Sequence, residues 1–146
     1  MDIHGTGTVT QEGVTLVVAR QIGEERRLGA LGRFFGLHAL TFENAVYDFL
    51  RRFAPEYTGG YWQFYELDNG GFYMAPEGDT FRFSVESNGC QGTLSADAAG
   101  ITVCLFAYSH LSFYYTQDDV FSDHFHSLRA FAAEHREAGA IFAAID

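Results

Sequence analysis

The chain has 146 residues, 47% of them hydrophobic and 19% charged, and a formal net charge of −10. This length suits one domain, with a core that needs no disulfide or metal staple. All nine basic residues are arginine, which excludes a Schiff-base lysine and a phosphate loop built on lysine. The arginines form no stripe, so direct nucleic-acid binding is not expected.

The first residues, MDIHGTGTVTQEG, lack the basic and apolar regions of a signal peptide. Residues 1–13 read as a loose polar leader, and residues 14–146 as a single domain. No apolar run approaches the roughly 18 residues of a membrane span, so no membrane partner is expected. VTLVVARQI (14–22) is β-branched and fits a short strand. EERR is a solvated charge cluster. LGALGRFFG (28–36) holds three glycines and reads as a loop or short helix.

Phe42, Val46, Phe49, Leu50 and Phe53 recur at helical spacing and predict a helix over 41–54. Thr41 is its expected N-cap, and Pro55 ends it. YWQFYELDNGGFYMAP then reads as strand, turn, strand, a hairpin over 60–75 turning at Asn69-Gly70. TFRFSVES (80–87) alternates as a half-buried antiparallel strand, and NGCQGTL (88–94) supplies a turn and a short strand. Residues 95–115 are ambiguous. Ile101, Cys104, Leu105, Tyr108 and Leu111 fall on one helical face behind a Ser95 cap, while Ile101, Thr102 and Val103 are β-branched. The spacing favours a helix over 96–114, followed by helices over 118–135 and 137–145. The fold class is therefore α+β: a small central antiparallel sheet of three to four strands, packed by helices before and after it.

Few residues group into chemistry. Asp119, Asp123 and His126 share a helical face, but His124 and His126 point about 200° apart, so a solvated surface is the expected reading and no metal site is assigned. Ser109 and His110 diverge on a helix. Cys104 falls on the apolar stripe, and Cys90 lies near a turn without an evident base. The two cysteines read as thiols of a reducing compartment, although a single bridge is open to them. Glu66 and Asp68 can point to one face as an acid/base pair, with strand-end solvation as the plainer reading. An enzyme would need Cys90, His110 or the Glu66/Asp68 pair to converge in one cleft. No catalytic residue, cofactor site or cofactor is assigned.

On the first hairpin arm, Tyr61, Gln63, Tyr65 and Leu67 share one face and Trp62, Phe64 and Glu66 the other. Both faces are largely apolar. Either helices cover both, or one meets a partner, since Tyr and Trp are favoured at binding hot spots. Tyr61, Trp62, Tyr65, Glu66 and Asp68 are therefore candidate protein-contact residues. Asp118, Asp119 and Asp123 form a second, acidic candidate patch. Extended DNA mimicry fails on magnitude. A domain of this length spans roughly 38 Å, over which DNA carries about 22 phosphate charges; about five net charges per face is a quarter of that density.

The stretches YTGGYWQFYELDNGGFYMAP (57–76), GTLSADAAGITVCLFAYSHLSF (92–113) and IFAAID (141–146) resemble the ArdB/KlcA-type antirestriction family, as does ENAVYDFL (43–50). The resemblance implies a cytoplasmic α+β protein, usually encoded on plasmids or other mobile elements. It implies relief of the cleavage of incoming DNA by type I restriction-modification systems, without enzymatic activity and without DNA mimicry. The implied partner is a type I restriction-modification complex or its DNA-bound form. A monomer or small homo-oligomer is expected, as is a generic acidic protein-binding module if the resemblance does not extend to function.

Overall fold

The structure, a computed structural model, describes residues 9–11 and 14–146. In chain order it contains β1 (Val9–Gln11), β2 (Val14–Leu16), β3 (Ala19–Gln21), α1 (Glu24–Arg27) and α2 (Ala30–Phe35). A 3-10 turn, Gly36–His38, leads into α3 (Ala39–Phe53). Next come β4 (Trp62–Leu67), β5 (Phe72–Pro76), β6 (Thr80–Val85) and β7 (Cys90–Ser95). The chain ends in α4 (Ala96–Tyr114), α5 (Val120–Ala133) and α6 (Ala138–Ile145).

The α+β class is as the sequence indicates, and the hairpin, the final strands and all four long helices fall where expected. The strands divide into three antiparallel sheets: β1-β2, β3-β4-β5 and β6-β7. The strand expected over 14–22 is broken. β2 pairs with β1 and β3 with β4. Asp68 holds the break open. Its Oδ1 accepts from the Val18 backbone N–H at 3.1 Å, and its own N–H donates to the Val18 carbonyl at 3.0 Å. Within the expected leader, Val9–Gln11 is the strand β1; the rest of that stretch lies outside the described residues.

The hairpin turn has Gly70 at φ +92, which a side chain would oppose. Asn69 completes it. Its Oδ1 accepts from the Gly71 N–H at 3.1 Å, and its amide donates to the Ser127 carbonyl of α5 at 2.9 Å. The turn is thus moored to a helix 58 residues away in sequence.

Two helix starts contrast. Ser95 caps α4, accepting from the Ala98 N–H at 3.1 Å, with Asp97 in the first turn. Thr41 caps nothing. The 3-10 turn feeds α3 from Ala39, so Thr41 lies inside the helix and His38 stands at its cap position without a side-chain cap bond.

The central helix is α4. Its sequence stripe implies one apolar face, but residues 98–105 are buried all round, Thr102 included. That Thr hydroxyl donates to the Ala98 carbonyl at 2.8 Å, so its burial leaves no unmet donor. α4 lies along the outer edge of β5. The Tyr108 hydroxyl donates to the Phe72 carbonyl at 2.6 Å, and the Cys104 sulfur lies 3.5 Å from both the N and O of Met74. A helix thereby satisfies backbone groups that an open sheet edge would leave exposed. Gly100 permits this approach, because a Cβ there would sit 2.5 Å from the Met74 carbonyl and from Ala75 Cα. Stacked aromatics extend the core toward α2 and α3: Phe35 on Phe42 at 4.3 Å and Phe42 on Tyr108 at 4.9 Å.

Candidate interaction surfaces

The hairpin candidates separate by burial. Trp62 is 2% exposed, and its indole N–H donates to the Tyr57 hydroxyl at 2.7 Å. It fills the core and presents nothing to a partner. Tyr65 is half-buried and stacks on Tyr73 at 4.7 Å across the strand pair. Tyr61 is 41% exposed and donates its hydroxyl to Glu24. The Arg27 guanidinium lies 4.2 Å from the Tyr61 ring centroid and 4.0 Å from that of Phe64. This cation–aromatic contact fastens α1 to β4.

Glu66 and Asp68 do not act as a pair. Arg26 grips the Glu66 carboxylate with two hydrogen bonds of 3.0 and 3.1 Å, while Arg20 and Arg33 stand 3.5 and 3.8 Å away. The Arg26 hydrogen bonds, opposed by partial burial and aided by all three charges, hold the Glu66 carboxyl below its ordinary range. It is an ion-pair hub and a poor proton carrier at neutral pH. Asp68 is committed to the Val18 backbone, and its second oxygen is buried with no hydrogen-bond partner among the described residues.

The acidic candidates sit at the start of α5. Asp118 Oδ1 accepts from the Val120 N–H at 2.9 Å, and Oδ2 lies 3.2 Å from His38 Nε2. Asp119 and Asp123 are exposed. His124 points inward between Phe35, at 4.8 Å, and Tyr108, at 5.4 Å, and burial lowers its pKa. Among the described residues, no three His, Cys, Asp or Glu side chains group to hold a metal ion.

The enzyme candidates have separate surroundings. Cys90 is half-buried on β7 beside Asn88, whose amide donates to the Ala144 carbonyl of α6 at 2.8 Å. His110 is exposed on α4, edge-on to Phe49 at 5.7 Å. Cys104 is in the core, and burial pushes its thiol up to about 12. Both cysteines are free. Cys90, His110 and Glu66 each have different partners: Asn88, Phe49 and Arg26.

Sequence reasoning missed a polar network beneath the hairpin. Tyr73 donates to Asp97 Oδ1 at 2.7 Å, and His135 Nε2 meets Asp97 Oδ2 at 2.8 Å. The Glu137 N–H donates to His135 Nδ1 at 3.0 Å, which places the imidazole proton on Nε2, facing Asp97. Glu137 in turn accepts from the Ser95 N–H at 3.0 Å. Burial and Asp97 raise the Tyr73 pKa, so this hydroxyl stays protonated and donating. Asp97 and His135 are 38 residues apart, and no motif or spacing announces them.

The antirestriction protein family matches residues 55–146. The chain belongs to the antirestriction protein family. The antirestriction protein KlcA of Escherichia coli is 47% identical over 137 residues, covering 89% of this chain and 94% of KlcA. YafX of Escherichia coli strain K12 is 40% identical and covers 98% of this chain and 96% of its own length. A solved structure, 41% identical, superimposes with a TM-score of 0.84 over 97% of this chain and all of its own. It comes from work on KlcA and ArdB that describes a novel fold and antirestriction activity against type I DNA restriction systems in vivo but not in vitro. As an antirestriction-family protein, this chain keeps the hairpin, α4 and the C-terminal helices within the matched region.

Proposed function

We propose that this protein relieves type I restriction of incoming DNA in the cytoplasm, through protein contacts and without catalysis. The single observation that carries the proposal is the TM-score of 0.84 at 41% identity to a structure whose relatives act on type I systems in vivo. The non-catalytic reading is supported by the separation of Cys90, His110 and Glu66 and by the engagement of Glu66 with three arginines. The protein-contact reading is supported by net charge: −10 repels phosphate, yet its density is too low for an imitation duplex. Among the described residues, no helix is long and apolar enough to cross a membrane. The partner is a type I restriction complex or its DNA-bound form, and a cellular component takes part.

The test plates unmodified phage on a type I restricting host with and without the gene. Plating efficiency rises when the gene is expressed, and an unchanged efficiency refutes the proposal. Purified protein added to a purified type I enzyme leaves cleavage unaltered, as reported for the relatives. Inhibition in that assay would remove the need for a cellular component.

A further inference from the structure

The chain is acidic, but its charge is unevenly spread. Four of its nine arginines fall between residues 20 and 33. β3, α1 and α2 bring three of them to one carboxylate of β4. Arg20 stands across the strand pair from Glu66, with Nη2 3.5 Å from Oε2. Arg26, from α1, takes both carboxylate oxygens at 3.0 and 3.1 Å, and Arg33, from α2, stands 3.8 Å from Oε1. One glutamate neutralises one guanidinium, so this cluster carries a formal +2. Even with Glu25, which acts on Arg26, its sign is opposite to the −10 of the whole chain. The three arginine side chains are 44–47% exposed, over a Glu66 that is 16% exposed. Arg26 is spent on the Glu66 fork. Arg20 and Arg33 stand too far from it for a good hydrogen bond, and among the described residues neither guanidinium donates one.

We propose that this arginine cluster docks a short acidic segment of a partner protein, whose carboxylates are held by Arg20 and Arg33. The inference rests on the protein-contact reading above and names the surface and the partner's chemistry. Arginine clusters recognise carboxylates because each planar guanidinium offers two parallel N–H donors. The Arg26–Glu66 pair has that geometry already. Arg20 and Arg33, which lack such a bond, supply it to an incoming carboxylate. Distant acids do not cancel the cluster, because charges are screened over about 8 Å at physiological salt, and the domain spans roughly 38 Å. The same arithmetic disfavours nucleic acid, since a duplex brings a charge about every 1.7 Å. The cluster can meet few of these, and the rest run over the acidic remainder of the surface. A short acidic segment sets its charges at the cluster alone.

The probes are two short fluorescent peptides, one of glycine, serine and glutamate, the other with glutamine in place of each glutamate. Each is titrated with purified full-length protein and followed by anisotropy. The glutamate peptide binds and the glutamine peptide does not. Affinity falls about tenfold or more in Arg20→Gln/Arg33→Gln. Arg20→Lys/Arg33→Lys keeps the charge beside Glu66 but loses the two-pronged donors, and it also binds more weakly. Arg82→Gln/Arg136→Gln removes as much charge from exposed positions elsewhere and binds as the wild type does. Circular dichroism and the thermal midpoint show that each variant is folded. Equal binding of both peptides, binding of neither, or wild-type affinity in Arg20→Gln/Arg33→Gln overturns the proposal. An equal loss in Arg82→Gln/Arg136→Gln also overturns it, because net charge and not the cluster is then at work. Duplex DNA that binds the wild type and not Arg20→Gln/Arg33→Gln would assign the surface to nucleic acid instead. A dimer in sedimentation that the same variant abolishes would assign it to a second copy. In the phage assay, Arg20→Gln/Arg33→Gln loses relief of restriction. Full relief by that folded variant overturns the surface and leaves the function standing; no relief by the wild type overturns the function alone.

Discussion

Gly100 shows how one atom decides a contact. A methyl group there would lie 2.5 Å from the backbone of β5, where neither side can yield cheaply. Gly100→Ala is expected to destabilise the protein by about 2–3 kcal/mol, read as a lowered urea midpoint at unchanged slope. Gly139, on α6, has nothing within 4 Å of a built Cβ and φ outside the left-handed region. Gly139→Ala is therefore expected to stabilise by about 0.5–1 kcal/mol, since alanine favours the helix. The sequence presents both as helical glycines. Only the distance to β5 separates them. Trp62 and Tyr61 teach the same lesson: both are hairpin aromatics, and alternation assigns them to opposite faces. Which face meets the core depends on helices distant in sequence.

At the scale of elements, Ser95 does two jobs that the sequence shows only half of. Its cap on α4 follows from its place before an apolar run. Its bonds to Glu137 do not. Ser95→Ala is expected to cost about 1–2 kcal/mol, measured by thermal or denaturant unfolding. Ser95→Asp keeps a capping oxygen but sets a carboxylate against Glu137, so it does not restore stability. Ser95→Thr, which keeps the hydroxyl, does so in part. Thr41 looks as good a cap as Ser95 in sequence. It fails because the 3-10 turn starts the helix earlier, a consequence of Phe35 stacking on Phe42 across that turn. α4 is ambiguous in sequence because its first half, residues 98–105, is buried on every side. A fully surrounded helix loses the polar face that reveals its period.

For the whole molecule, acid sensitivity follows from burial of one histidine. Burial lowers the His124 pKa from its ordinary 6.5, so the folded state prefers the neutral ring. The unfolded chain then binds more protons below 6.5, and stability falls as pH drops through that window. Glu66 and Glu137 are shifted below the ordinary 4.5, the first by Arg26, the second against burial by its Ser95 bonds. Their contribution is complete above 4.5 and is lost as pH falls through their lowered values. Two successive losses are expected in the thermal midpoint across an acid titration. His124→Leu removes the slope of the first window and leaves the second; an unchanged first slope would count against His124 as its source.

The sequence by itself determined the family, the α+β class, the long helices, the hairpin and its turn, and the Ser95 cap. These are local properties, written in periodicity, turn chemistry and long contiguous motifs. Tertiary structure alone decided that Glu66 binds three arginines, that Asp97 joins Tyr73 to His135, and that α4 seals the edge of β5. Each of these joins residues tens of positions apart, and neither spacing nor composition carries a distance of that kind. The stretch YWQFYELDNGG shows the boundary. Its turn and strand are legible residue by residue. The burial of Trp62 and the exposure of Tyr61 were set by the helices that packed against it.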